Sequence, residues 1–245
     1  MRTTLLAFTA LFTLGAVTTA TAHTIESPGV EKGALEVEAT AERLSGGEAD
    51  GESSTKLEVG YGFTDRLHMA LIGEIEDEPG ESATLEALGV EAIVDTGRVE
   101  ALGLDTGLYF EYEQPLHGEA GKVEGKLLLG RDFGPVRGVL NLVAEQPLTD
   151  RDGEGAMEFG YAAQATAEVA HDVGLGVMAF GDLGTNRDFG GRQGHFAGPL
   201  VEWELDELGG HGELEFKAAY LFALGAAKDE TDGQIHLAVE WEKEF

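Results

Sequence analysis

Residues 234–245 read QIHLAVEWEKEF, and this stretch decides the fold. Apolar side chains take every second position, and mostly charged or polar ones fill the places between them. The apolar set is Ile235, Leu237, Val239, Trp241 and Phe245. Alternation with period 2 gives a β-strand one apolar face and one charged face. A strand of this length, apolar outside and charged inside, is typical of a β-barrel that crosses a bilayer.

The same alternation recurs about twelve times after residue 33, although it leaves the phase of residues 175–182 open. Short turns alternate with longer polar segments, and both are rich in the Gly, Asp, Asn and Pro that turns need. The short turns are predicted at 64–66, 95–98, 132–135, 171–174 and 206–211. The longer segments are predicted at 45–54, 76–82, 114–121, 146–155, 183–194 and 225–233. We predict one all-β domain, a transmembrane antiparallel up-and-down β-barrel of about 12 strands, with short periplasmic turns and longer extracellular loops.

The beginning of the chain has the three parts of a secretory signal peptide. Arg2 supplies positive charge, residues 5–17 are apolar, and residues 20–22 offer small side chains for cleavage. We therefore predict a signal peptide over 1–22 and an outer-membrane β-barrel domain over 23–245. The expected location is the outer membrane of a Gram-negative bacterium.

Composition narrows the classes of function. The formal net charge is −30, which argues against nucleic acid as a partner because nucleic-acid binding needs a basic surface. The chain has no cysteine, so a disulfide framework, a thiolate metal site and a cysteine nucleophile are excluded. The acidity has two interpretations that stay open together: a host that lives in salt, and a lumen that attracts cations.

The known enzymatic classes of outer-membrane barrel make demands that the sequence does not meet. A phospholipase-type barrel needs a strand serine near histidine. Every serine after the signal peptide is expected in the N-terminal segment or in a loop; these are Ser27, Ser45, Ser53, Ser54 and Ser82. A protease-type barrel uses Asp and His at the loop rim, and no spacing here singles out such a pair. We predict no enzymatic activity and no catalytic residue.

No metal site or cofactor is predicted either. The histidines are scattered singly, without a His-x-His or His-x₃-His pair. His23 would be the first residue after cleavage, where its imidazole and a free α-amino group could form a copper-binding pair. The loop acids lack the Ca²⁺-loop pattern, although they could bridge to lipopolysaccharide through divalent cations.

The strongest functional signal is a row of carboxylates on the inward face of the predicted strands. The row comprises Glu36, Glu38, Glu58, Glu74, Glu91, Glu111, Glu124, Glu158, Glu168, Glu202, Glu204, Glu213, Glu215, Glu240 and Glu242. Basic residues in the same phase are few. A water-filled lumen lined in this way should favour cations and repel anions. The alternative is a dry lumen in which Lys and Arg neutralise part of the row.

Aromatic residues are expected at the two membrane interfaces, where amphipathic rings favour the headgroup level. Trp203 and Trp241 belong to the periplasmic set, while Phe196 and Phe222 belong to the extracellular set. The final aromatic residue resembles the sorting signal of bacterial outer-membrane barrels. We therefore predict that Trp241 and Phe245 form a C-terminal assembly signal read by the barrel-assembly machinery. Outer-membrane lipid and lipopolysaccharide are the other expected partners.

Two stretches carry a family resemblance. The segment AHTIESPGVEKGALEVE at 22–38 and the hairpin LEVGYGFTDRLHMAL at 57–71 resemble a family of proteobacterial outer-membrane barrels. These barrels are described as transporter-like or phenol-degradation meta-pathway-like. The resemblance implies a membrane barrel for uptake of small solutes, and it brings no catalytic residue to transfer.

Two functions follow from these observations. The first is an outer-membrane channel or transporter for passive uptake of small solutes, with an acidic, cation-preferring lumen. The second is a closed structural or adhesion barrel whose acidic loops bind divalent cations or a partner. They differ in whether the lumen is open.

Overall fold

The computed structural model describes residues 24–118, 120–148, 155–205 and 212–245. Its strands are β1 (Ala34–Ser45), β2 (Ser53–Thr64), β3 (Leu67–Asp77), β4 (Thr84–Val99), β5 (Leu104–Pro115), β6 (Lys122–Phe133), β7 (Val136–Pro147), β8 (Glu158–Ala170), β9 (Val173–Thr185), β10 (Gly194–Leu205), β11 (Glu213–Gly225) and β12 (Gly233–Glu244). Each strand pairs with its neighbours in chain order, and β1 pairs with β12 to close the barrel. Neighbouring strands are antiparallel throughout, which confirms the predicted fold.

The barrel has two distinct ends. The short turns between β2 and β3, β4 and β5, β6 and β7, and β8 and β9 share one end, here called the turn end. The longer connections share the other, the loop end, where a 3₁₀ turn spans Ala227–Asp229. The predicted signal peptide over 1–22, and His23 after it, lie outside the described residues. Within the described ranges, no helix is both long enough and apolar enough to cross a membrane.

Most large apolar side chains of the strands point away from the barrel axis. Leu71 is 66% exposed, Val177 59% and Phe222 55%, whereas inward neighbours such as Ile72 and Leu221 are buried. A soluble barrel would show the opposite arrangement. An apolar belt around a closed barrel suits lipid as the surrounding solvent, because the strands pair their backbone groups with one another and the closed ring leaves no free sheet edge.

The structure shows which side chains of β9 face the lumen, a point that the sequence left open. Leu175 and Val177 are exposed, while Met178 and Phe180 are buried inside the barrel. The strand is apolar on both faces because its inner face packs against other apolar side chains in the lumen.

The predicted turn at 95–98 was wrong. β4 continues to Val99, and the reversal before β5 lies at 100–103. The strand accommodates the turn-like residues through an irregularity in its register between Asp95 and Gly97. Gly97 takes a φ of 92° there, a conformation that suits glycine because it has no Cβ.

Two further predictions about side chains need correction. Ser45, Ser53 and Ser54 lie within β1 and β2 rather than in a loop, because these strands extend farther toward the loop end than their apolar pattern does. Phe196 points into the barrel, not toward the interface, and its ring centroid lies 5.4 Å from that of Phe180.

Candidate functional site: the barrel lumen

Residues 24–33, here called the N-terminal segment, occupy the interior of the barrel. The segment joins β1 at the turn end, where the Gly33 amide donates to the Gly62 carbonyl oxygen at 2.8 Å. The Phe245 amide in turn donates to the Gly33 carbonyl oxygen at 3.1 Å. From this point the segment runs inward, and Thr24 and Pro28 are both buried.

Asn141 on β7 anchors the segment. The Glu26 amide donates to Asn141 Oδ1 at 2.8 Å, and Asn141 Nδ2 donates to the Glu26 carbonyl oxygen at 2.8 Å. Asn141 is 0% exposed. One buried side chain therefore satisfies both backbone groups of a residue that has no strand partner, which removes the penalty for burying them.

Two glycines make room for the segment. A Cβ at Gly107 would lie 3.1 Å from Pro28 Cα, and a Cβ at Gly130 would lie 3.1 Å from Pro28 Cγ. Both distances are tighter than ordinary van der Waals contact. Glycine on the inward face of β5 and β6 thus allows the fully buried Pro28 to lie directly against the barrel wall.

One side of the lumen is apolar. Met178, Phe180, Leu200 and Leu221, carried by β9, β10 and β11, form a buried cluster against which Ile25 of the N-terminal segment packs. This apolar wall explains why the predicted lining of carboxylates is interrupted on these strands. Its contact with Ile25 holds the segment by the hydrophobic effect as well as by hydrogen bonds.

The opposite side of the lumen, on β2 to β5, is charged. Lys56 Nζ lies 3.3 Å from Glu91 Oε2, 3.6 Å from Glu111 Oε2 and 3.8 Å from Glu58 Oε2. The Tyr109 hydroxyl donates to Glu91 Oε2 at 2.8 Å and also contacts Glu111. One buried ammonium group therefore faces three carboxylates, and the charged wall is negative overall.

Other basic residues neutralise part of the predicted row, as the dry-lumen alternative requires. Lys122 Nζ lies 2.9 Å from Glu113, Lys126 Nζ lies 3.3 Å from Glu124, and Lys217 Nζ lies 3.2 Å from Glu215. Lys126 also lies 4.2 Å above the centroid of the Tyr109 ring. These pairs leave the lumen with more carboxylates than ammonium groups.

A cavity of about 490 Å³ lies between the N-terminal segment and the wall formed by β1, β11 and β12. Its lining contains seven carboxylates and one ammonium group, Lys217. The carboxylates belong to Glu26, Glu31, Glu36, Glu38, Glu215, Glu240 and Glu242. The cavity is strongly acidic and is large enough for water and small solutes.

The fifteen predicted lumen residues divide into two groups. Eleven are buried or half-buried: Glu36, Glu38, Glu58, Glu74, Glu91, Glu111, Glu124, Glu202, Glu215, Glu240 and Glu242. Four are exposed near strand ends: Glu158, Glu168, Glu204 and Glu213. The inward phase predicts which side of the sheet a carboxylate takes, but not its depth along the barrel.

Several residues of the lumen were not singled out from the sequence. Glu42 is 1% exposed, and its Oε1 lies 3.0 Å from Nδ1 of the buried His236. Glu113 is buried beside Lys122. Both acids follow the inward phase of their strands and could have been included on that signal. Asn141 and the N-terminal segment carry no such periodic signal.

Ser54 is the one strand serine whose burial invites a catalytic interpretation, and its environment does not support one. Its side chain is buried, but Oγ has no hydrogen-bond partner among the described residues. Glu42 stands opposite Ser54 on β1, with His236 opposite Glu42 on β12. The acid therefore lies between the hydroxyl and the imidazole, whereas a nucleophile needs the base beside it.

The proposed assembly signal lies at the barrel seam. Trp241 is half-buried on β12, opposite Val37 of β1 and Leu214 of β11. Phe245 follows β12 and is 79% exposed. Lys243 Nζ lies 5.3 Å from the centroid of the Phe245 ring.

Three groups of acidic side chains could hold a cation among the residues that the structure describes. In each group the potential ligand atoms lie within 4.8 Å of one another. The groups are Glu58–His68–Glu91, Glu36–Glu38–Glu240 and Glu74–Glu111–Glu113. Only the first is buried throughout and includes an imidazole.

Solved structures share this architecture. The chain is similar to the KdgM porin, with a TM-score of 0.54, 7% identity, and coverage of 84% of this chain and 98% of that one. It is similar to the NanC porin, with a TM-score of 0.56, 9% identity, and coverage of 86% and 99%. It is also similar to the COG4313 outer membrane channel from Pseudomonas putida F1, with a TM-score of 0.56, 14% identity, and coverage of 88% and 97%.

At these identities the likeness shows the fold alone. No protein-family model and no curated protein matches the chain. The finer resemblance to the transporter-like or phenol-degradation meta-pathway-like family therefore stays a prediction. The chain has the fold of barrels that are described as outer-membrane porins and channels.

Proposed function

We propose that this protein is an outer-membrane channel for passive uptake of small solutes, and that its lumen prefers cations. The observation that carries the proposal is the acidic cavity beside the N-terminal segment, inside a closed barrel with an apolar outer face. Seven carboxylates against one ammonium group give the cavity a negative potential, which lowers the energy of a cation and raises that of an anion. The neighbouring solved barrels are named as porins and a channel, which supports a role in transport without catalysis.

The N-terminal segment sets the width of the proposed pore. It fills the space between the apolar wall and the charged wall, and the remaining path runs through the acidic cavity. We expect low conductance for this reason. The location follows from the same proposal: the apolar belt suits the outer membrane, with Trp241 and Phe245 as its assembly signal.

Planar-bilayer recording tests the proposal. The purified barrel, refolded in detergent, is inserted into a bilayer that separates two KCl solutions of different concentration. The sign of the reversal potential then reports which ion passes more easily. We expect K⁺ to pass more easily than Cl⁻. Absence of conductance, or a reversal potential of the opposite sign, would contradict the proposal.

A pair of variants with the same net charge tests whether the preference for K⁺ comes from charges in the lumen or from the total charge of the protein. The triple variant Glu36→Gln, Glu38→Gln, Glu240→Gln removes three charges from the cavity lining. The control variant Glu48→Gln, Glu78→Gln, Glu81→Gln removes three exposed charges at the loop end. Only the first should weaken the preference for K⁺, because salt screens charges that lie outside the lumen.

A closed structural or adhesion barrel is the second candidate. The observation that favours it is the same N-terminal segment, since Asn141, Pro28 and Ile25 hold it firmly inside. A sealed lumen would give no conductance in the wild-type chain. Conductance would then appear only after Asn141→Leu, which removes the anchor of the segment.

A further inference from the structure

We propose that Glu58, His68 and Glu91 form a buried binding site for a divalent transition-metal ion such as Zn²⁺ or Co²⁺. The three residues lie on β2, β3 and β4 and are 5%, 7% and 2% exposed. One nitrogen or oxygen atom from each lies within 4.8 Å of the others. In a tetrahedral Zn²⁺ site two ligand atoms stand about 3.4 Å apart, so binding requires the three side chains to draw closer together than the 4.8 Å limit.

The buried imidazole of His68 is the first observation in favour of the site. Neither Nδ1 nor Nε2 makes a hydrogen bond within the described part of the chain, although both atoms are buried. Glu36 Oε2 lies 3.6 Å from Nε2, beyond hydrogen-bond distance. An unsatisfied imidazole inside a protein is costly, and coordination of a metal would satisfy one nitrogen.

The carboxylate of Glu91 is the second observation in favour of the site. Its Oε2 accepts hydrogen bonds from Tyr109 at 2.8 Å and from Lys56 at 3.3 Å. Its Oε1 is buried and has no hydrogen-bond partner among the described residues. Lys56 and Tyr109 therefore occupy one oxygen and orient the carboxylate, while the other oxygen is left for a ligand. Such support of a ligating carboxylate is the arrangement that metal sites use.

The charge balance also favours a cation. Lys56 is the only basic side chain that the structure pairs with Glu58 and Glu91 within the described residues, and it faces Glu111 as well. Glu36 adds a further carboxylate beside His68. Four acids against one ammonium group leave an excess of negative charge in a region of low dielectric constant, which a divalent cation would offset.

The backbone makes space for the imidazole. His68 lies over Gly60 on the neighbouring strand, and a Cβ at that position would collide with Nε2 and Cε1. His68 also lines the acidic cavity, together with Glu36 and Glu38. A cation that enters the cavity therefore reaches His68 directly.

The donor set selects the class of metal. One imidazole nitrogen and two carboxylates suit the borderline ions Zn²⁺ and Co²⁺, and the two carboxylates also suit the harder Mn²⁺ ion. Ca²⁺ and Mg²⁺ prefer six or more oxygen ligands or retained water, which a buried cluster with an imidazole does not offer. The sequence contains no cysteine to favour Cu⁺. The site does not depend on conduction, because a sealed barrel could hold the same ion.

Titration of the refolded barrel with Co²⁺ alone tests the proposal, through calorimetry and the visible absorption of the bound ion. We expect one equivalent to bind, Zn²⁺ to displace it and Mg²⁺ to leave it in place. His68→Phe and Glu91→Gln should each weaken binding by more than about tenfold, the lower limit seen when even outer-shell partners of a metal are lost. The controls His117→Phe and Glu145→Gln change the same residue types away from the cluster and should bind Co²⁺ as the wild type does.

A second measurement covers the case in which a variant does not fold. Pulsed electron paramagnetic resonance of the Mn²⁺-loaded wild-type barrel should detect coupling to one imidazole nitrogen. Failure of the wild type to take up Co²⁺ stoichiometrically would overturn the proposal, as would uptake that His68→Phe leaves unchanged. Because these readouts are of binding, they can fail while the conductance predicted for a channel is still observed.

Discussion

Asn141 of β7 holds both backbone groups of Glu26, with two hydrogen bonds of 2.8 Å each. The two residues are 115 positions apart in the chain. This contact fastens the N-terminal segment across the lumen, and it connects the width of the proposed pore to one side chain.

Asn141→Leu should widen the pore. Leucine keeps a similar volume but leaves the Glu26 amide and carbonyl without partners, at a cost of about 1–3 kcal/mol for each buried group. We expect the segment to leave its position and single-channel conductance to rise several-fold in a planar bilayer. Gln146→Leu, near the loop end of the same strand, is the matched control and should conduct as the wild type does. Equal conductance in all three proteins would show that the segment does not limit flow.

Lys56→Met should destabilise the barrel. Lys56 is 4% exposed and faces three carboxylates, so its removal leaves buried negative charges without compensation. Breaking a buried pair in this way costs about 3–5 kcal/mol. Urea unfolding of the barrel in lipid vesicles measures the loss.

Two comparisons isolate the cause of that loss. Lys228→Met removes an exposed lysine at the loop end and should leave the free energy of unfolding unchanged. The double variant Lys56→Met, Glu91→Gln should recover part of the lost stability, since it removes one uncompensated charge. A Lys56→Met barrel as stable as the wild type would mean that its carboxylates are not charged together.

Leu71→Arg should lower the free energy of unfolding only when the barrel is in a bilayer. Leu71 lies near the centre of β3 on the outer face and is 66% exposed. Arginine at the midplane of a membrane barrel costs roughly 2–4 kcal/mol, but close to 0–1 kcal/mol near an interface. Val99→Arg, at the turn end of β4, is the control for position. Unfolding of both variants from vesicles gives the difference, and similar costs at the two sites would contradict a lipid-facing belt.

Arg192→Gln should raise the pKa of Asp229 at the loop end. Arg192 makes two hydrogen bonds to Asp229, at 2.5 and 2.9 Å, and these together with its charge hold the pKa of that carboxyl below its usual value. A depressed pKa means that the pairing contributes above the ordinary pKa of an aspartate and is lost as the pH falls through the lowered value. Carbon NMR of labelled Asp carboxyl groups measures the change.

Arg187→Gln is the control for this loop and should leave the titration of Asp229 unaltered. Because both partners are exposed, we expect neither substitution to change thermal stability measurably. A titration of Asp229 that is the same with and without Arg192 would mean that the pair does not persist in solution.

The strand number, and the inward face of every strand except β9, were predictable because period 2 is a local property. Leu57, Leu237 and Phe222 alternate with polar or smaller residues in their own strands, so no knowledge of distant contacts is needed. The prediction of a turn at 95–98 was wrong because Gly97 belongs to an irregularity in the register of β4. Glycine suits a tight turn and a strand irregularity equally well, so the sequence does not distinguish them.

The contents of the lumen were much harder to predict. Residues 24–33 show no periodic pattern, and their position depends on Asn141, Gly107 and Gly130, which lie far along the chain. The Glu58–His68–Glu91 cluster was likewise invisible as a spaced motif, because its members come from three strands. Only the closure of the barrel brings such residues together.

The apolar wall on β9 to β11 and the charged wall on β2 to β5 lie on opposite sides of one narrow tube. The electric field inside therefore has a component across the axis as well as along it. A dipolar or amphiphilic molecule within the tube experiences a torque in addition to a force. In the proposed channel, passage should therefore depend on orientation as well as on size, so that a spherical ion and an elongated cation of equal charge would travel under different constraints.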